Sequence, residues 1–195
     1  RSSRNNVLRA VSESTRNDEE PVILYFAGHG VGYDGILHLC PDDFDPRIPC
    51  YSAVLLPTIV DILARRRGWS LVMLDTCRIA GSFVRRRRRP AGPGRIMVSD
   101  NVCMFLACSE GERAFEVPSI SGTPAGGVFT HFFLQSIEAC AMQESLVCLG
   151  NVFEAAQRDT STFVANTFEV SQTPRSIGHS AADLFLATRG HVGGR

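Results

Sequence analysis

Val22-Ile23-Leu24-Tyr25-Phe26-Ala27-Gly28-His29-Gly30 opens on six apolar or β-favouring residues and closes on a histidine between two glycines. A short continuous apolar run bounded by turn residues is the pattern of a strand buried on both faces of a parallel sheet. Two later stretches repeat it, Ser70-Leu71-Val72-Met73-Leu74-Asp75 and Val102-Cys103-Met104-Phe105-Leu106-Ala107. Between the first two, residues 52–67 carry helical periodicity through Leu55, Ile59, Ile62 and Leu63 and finish in three arginines before Gly68. A basic last turn suits a helix C-terminus. Working outward, residues 7–14, 126–141 and 147–157 read as helices, 35–40 and 183–187 as strands, and 41–46 as a loop. Strands alternating with helices predict an α/β domain: a mostly parallel central sheet with helices on both faces.

The chain has 195 residues, 44% of them hydrophobic, which suits one domain, taken as 1–195, with a proper core. Twenty basic and twenty acidic residues give zero net charge, so no global field draws the chain to nucleic acid or to an anionic membrane. Every basic residue is Arg, a composition bias and not a physical device. No apolar run has the length of a membrane span, and residues 1–6 are too polar for a signal peptide. The first residue is Arg, so the chain is expected to be part of something longer. Seven cysteines without a C-x-x-C pair give a structural zinc site little support. Several lie in apolar stretches, where a free thiol behaves as a small core residue. With no Asn-x-Ser/Thr sequon, the chain reads as reduced and cytoplasmic.

Gly30-Val31-Gly32-Tyr33-Asp34-Gly35 satisfies G-x-G-x-x-G, but the dinucleotide motif needs a helix directly after it, and Ile36-Leu37-His38-Leu39 reads as a strand. A more informative signal is a pair of strand ends. His29 closes the first strand, and Cys77, in Leu74-Asp75-Thr76-Cys77-Arg78, closes the next. Carboxyl ends of neighbouring parallel strands share one crevice. A His there can take a thiol proton, and the thiolate can attack a carbonyl. Flanking glycines let a substrate backbone approach and free an N–H for an oxyanion. Spacing alone leaves open the reading of a turn His and a core Cys with no shared role.

The residues Tyr25-Phe26-Ala27-Gly28-His29-Gly30 and Leu74-Asp75-Thr76-Cys77-Arg78, in that order and 48 positions apart, resemble the caspase-like cysteine peptidases of clan CD. The caspase signature Q-A-C-R-G is absent, and the D-x-C motif is closer to paracaspases and metacaspases. Leu106-Ala107-Cys108-Ser109-Glu110-Gly111-Glu112-Arg113-Ala114-Phe115-Glu116 is similar to the paracaspase segment ending A-F-E, and Gly126-Gly127-Val128-Phe129-Thr130 to its glycine-led next helix. The resemblance implies a caspase-like sandwich and an endopeptidase whose nucleophile is Cys77 and whose general base is His29. The oxyanion would fall to the N–H groups of Gly30 and Cys77. Asp75 and Glu116 would line a pocket selecting Arg or Lys before the cut, where true caspases use arginines and select Asp.

The resemblance also marks departures. The family's first strand, with another acidic pocket residue, would lie upstream of the N-terminus here, so the domain is expected to lack it. Many metacaspases hold calcium with acids in a Pro-x-Asp loop and just after the Cys. Asp42 and Asp43 match the first part, and Arg78-Ile79-Ala80-Gly81-Ser82 lacks the second. No cofactor is therefore expected, and calcium, if bound, would use Asp42 and Asp43. Residues 83–95, with five consecutive arginines at 85–89, read as a solvated linker, a self-processing site, or a nuclear-localisation or nucleic-acid contact. His38, His131, His179 and His191 show no partner spacing. Expected partners are protein substrates with a basic residue before the cut and, as in caspases and paracaspases, a second copy paired through an edge strand near the C-terminus. Membrane and nucleic acid are not expected. The competing function is a catalytically silent scaffold of the same fold, which has no need of His29, Cys77, Asp75 and Glu116 together.

Overall fold

A computed structural model describes residues 3–33, 35–78, 98–118, 125–178 and 184–187. The whole 83–95 linker, with its arginine run, lies outside the described residues, as do Asp34, His179 and His191. The elements are α1 (Arg4–Ser14), β1 (Val22–Tyr33), β2 (Ile36–Cys40), α2 (Pro49–Ser52), β3 (Val54–Leu55), α3 (Leu56–Ala64), β4 (Ser70–Thr76) and β5 (Val102–Leu106). They continue as β6 (Glu116–Val117), β7 (Gly126–Gly127), α4 (Val128–Ala141), β8 (Leu146–Cys148), α5 (Leu149–Phe168), β9 (Arg175–Gly178) and β10 (Phe185–Ala187).

The six-stranded sheet runs β3-β2-β1-β4-β5-β9. Its centre, β1-β4-β5, is parallel, and β2, β3 and β9 join antiparallel. Because side chains alternate along a strand, β4 and β5 feed two separate cores. Val72, Leu74, Met104 and Leu106 meet Val11 of α1 and Ile59, Val60 and Leu63 of α3. Leu71, Met73, Cys103 and Phe105 meet Phe129 and Phe133 of α4 and Val152, Phe153 and Ala156 of α5. Helices on both faces explain why every residue of β4 and β5 is buried.

Four features depart from the sequence reading. The expected strand 22–27 continues to Tyr33, because β2 supplies a hairpin partner from His29 to Tyr33 that keeps the glycine-rich run extended. The expected helix 52–67 is split. Pro57 disfavours helical backbone in the residue before it and suits the first turn, so β3 gives way to α3 there. The helix expected over 147–157 starts at Leu149, after β8, and runs on to Phe168, with its own Thr160 and Val164 buried. Edge strand β9, polar in sequence, comes only from pairing with β5, while β10 pairs with β8 outside the central sheet. Arg66 is also not a solvated helix-end charge. It is buried, and its guanidinium donates to the Ser14 and Glu20 carbonyls, tying the end of α3 to the end of α1.

Candidate active site

The site forms where β1 parts from β4. Their parallel register runs from Val22↔Ser70 to Ala27↔Asp75 and ends at Gly28↔Thr76, so His29 and Cys77 each lie one residue beyond its last pair. Gly28 makes the parting possible with φ of 152°, a conformation that L side chains rarely adopt. Gly30 then passes so close to the nucleophile strand that a Cβ would lie 2.7 Å from both the Cys77 carbonyl oxygen and Thr76 Oγ1. The glycines on either side of His29 therefore serve chain geometry, whatever they do for a substrate. His29 is exposed and Cys77 half-buried. The Cys77 Sγ donates to the Ala114 carbonyl at 3.7 Å, so in this structure the thiol points to the loop after β5. Such a contact is weak.

Asp75 is 6% exposed, on the face that α4 covers. Its carboxylate accepts the Thr130 hydroxyl at 2.5 Å and is also bonded by the Thr130 backbone N–H. Gly127, the residue preceding α4, has no side chain to cap the helix, so Asp75 supplies the acceptor from another strand. A Cβ on Gly127 would lie only 2.0 Å from Asp75 Oδ2, so only glycine fits there. Burial pushes the Asp75 pKa above the ordinary value of 3.8, the Thr130 bonds pull it down, and the Glu116 charge pushes it up. Glu116, exposed on β6, pairs across the β-ribbon with Gly127. The two carboxylates expected to share a pocket are thus brought together.

Sequence reading missed the groups that hold this arrangement. Tyr25 Oη lies 3.0 Å from Thr130 Oγ1. Glu112 accepts from the Ser109 and Thr173 backbone N–H groups at 2.9 and 2.7 Å and from the Thr173 hydroxyl at 3.1 Å. Gln172, 1% exposed, donates to the Ala107 carbonyl and accepts from the Phe115 N–H, spanning the loop that carries Ala114 and leads into Glu116. The backbone of Arg78 pairs with that loop through Glu112 and Gly111. A hydroxyl near the start of the helix expected over 126–141 was the available signal for Thr130, but nothing local marks Gln172.

The other thiols differ in setting. All seven cysteines are free. Burial pushes Cys103 up to about 11 and Cys108 up to about 12, which keeps both as unreactive thiols. Asp43 accepts the Arg4 backbone N–H at 2.8 Å, anchoring α1. Among the described residues no group of three or more His, Cys, Asp or Glu could hold a metal ion, and no helix is long and apolar enough to cross a membrane. The residues after the G-x-G-x-x-G stretch form β2, so no helix is there to receive a pyrophosphate. A cleft of about 900 Å³, lined in part by Arg78, Glu110, Glu154 and Arg175, contains none of His29, Cys77, Asp75 and Glu116.

No curated protein sequence matches the chain. A family model described as the caspase domain matches residues 2–186, nearly the whole length and both strand ends of the site. With a mostly parallel sheet between two helical layers, and a His and a Cys at the ends of adjacent strands, this chain belongs to the caspase-domain family of cysteine peptidases.

Proposed function

We propose that this protein is an endopeptidase of the paracaspase or metacaspase type, acting in the cytoplasm and cutting protein substrates after Arg or Lys. The observation that carries this reading is the β1–β4 register, which ends one residue before His29 and Cys77 and contains Asp75, on which the Glu116 charge acts. Cys77 gives up its weak contact to Ala114, and His29 takes the thiol proton. The thiolate attacks the scissile carbonyl, and the N–H groups of Gly30 and Cys77 receive the oxyanion. His29 returns the proton to the leaving amine, a thioester remains, and His29 then activates the water that hydrolyses it. The two carboxylates receive a guanidinium or ammonium side chain, and they would repel an aspartate.

Fluorogenic peptides with Arg, Lys or Asp before the reporter test the reading. Basic peptides should be cut at least about 100-fold faster than the Asp peptide. A preference for Asp would overturn the pocket assignment and leave the dyad standing. Residues 85–89 present the same basic side chains, and slow cleavage there in active enzyme but not in Cys77→Ala is expected. Mass spectrometry of incubated protein decides it. Pairing of two copies through an edge strand near the C-terminus, such as β9 at one edge of the sheet among the described residues, belongs to the same proposal.

A further inference from the structure

We infer that Tyr25 is a specificity-determining residue, an aromatic wall of the substrate pocket that makes the enzyme prefer Arg to Lys. The inference rests on the basic-residue reading above and narrows it. Tyr25, Ala27 and His29 alternate along the exposed face of β1, and Ala27 is the register partner of Asp75. The small Ala27 therefore stands between the Tyr25 ring and His29 on that face, in register with the acid. Tyr25 is 47% exposed, unusual for a large ring on an inner strand of the sheet.

The ring is also held in place. Thr130 has one hydroxyl proton and directs it to the Asp75 carboxylate, so Tyr25 must be the donor in its own bond to Thr130. The chain Tyr25 O–H to Thr130 O–H to Asp75 fixes the ring plane against the pocket floor. The same proximity shows in the phenol. Burial raises its pKa, and the charges of Asp75 and then Glu116 raise it as well. A ring beside two carboxylates forms a slot for a flat cation. A guanidinium can lie on the ring face while its edge donors reach both acids. A compact ammonium can meet the acids but gains much less from the flat wall.

The test compares Arg and Lys peptides, identical otherwise, on wild type, Tyr25→Phe and Tyr25→Leu. It measures kcat and KM separately, and in the Cys77→Ala background it measures binding of tetrapeptide amides ending in Arg or Lys by calorimetry. Wild type should favour Arg by at least about fivefold. Tyr25→Leu should bring the ratio near one, chiefly because KM rises more for the Arg peptide than for the Lys peptide. Tyr25→Phe, which keeps the ring, should retain most of the preference. An equal rate on Arg and Lys in wild type, or an unchanged ratio in Tyr25→Leu, overturns the inference while leaving the basic pocket intact. Failure of both basic peptides to bind or be cut overturns the pocket itself, and the inference with it. A general loss of fold in Tyr25→Leu would lower kcat on both peptides alike, and Tyr25→Phe then decides through its ratio.

Discussion

Strands β1 and β4 run parallel in one register, yet they are solvated in opposite ways. From Ser70 to Thr76 every residue of β4 is buried, whereas β1 alternates between half-buried and exposed from Val22 to His29. The difference arises because α4 and α5 cover β4 and β5 and stop short of β1. Val22, Leu24 and Phe26 pack toward α1 and α3, while Ile23, Tyr25 and Ala27 are left open on the other face. A strand covered on both faces holds its residues rigidly, which suits an acid at a pocket floor and a nucleophile at a strand end. A strand open on one face can present a base and a ring to a substrate. The candidate site draws on one strand of each kind.

The largest effect should come from breaking both strand ends. Cys77→Ala and His29→Ala should each lower kcat/KM by at least about 10³-fold with the melting temperature retained. Normal turnover in either variant would sink the dyad.

Next is the acid of the covered strand. Asp75→Asn should lower kcat/KM for Arg peptides by about 100-fold, chiefly through KM. The raised pKa of Asp75 also gives a pH signature. The folded state holds this proton more tightly than the unfolded chain. Asp75 therefore makes the folded protein lose stability as pH rises from the ordinary value of 3.8 through its raised pKa. Urea melts should show wild type falling relative to Asp75→Asn over that window. Over the same window KM for Arg peptides should rise as pH falls, because protonated Asp75 carries no charge. A flat difference between the two proteins would mean that burial does not govern this carboxyl.

A smaller change is expected from Gln172→Ala, which leaves the Ala107 carbonyl and the Phe115 N–H without their buried partner. Denaturation should show a loss of about 2–3 kcal/mol. The smallest effect belongs to the acids of the loop after β2. Asp43→Asn should cost about 1 kcal/mol or less through the α1 anchor. Chelation should change activity by less than about twofold. Activity that a chelator abolishes and calcium restores would make Asp42 and Asp43 a metal site.

The central strands were legible because each is a short apolar run, and burial on both faces demands that composition. His29, Cys77, Asp75 and Glu116 were legible because their motifs carry chemistry in a fixed order. Strand β9 was not, since Arg175-Ser176-Ile177-Gly178 has no strand pattern of its own and is extended only by its ladder to β5. The second half of β1 was read as a turn for the converse reason. Glycine permits either conformation, and the hairpin with β2 chooses.

By itself the sequence determined the α/β class, the central strands and the order of His before Cys, and it named four candidate site residues. These follow from local composition and motif, which act over a few residues. Only the tertiary structure decided that Thr130 caps Asp75 from another element, that Tyr25 stands exposed beside the acids, and that Gln172 spans the loop behind the nucleophile. Those contacts join residues distant in the chain. They exist because folding brings polar groups out of water together, and each buried donor or acceptor must then find its partner wherever the packed chain has placed one.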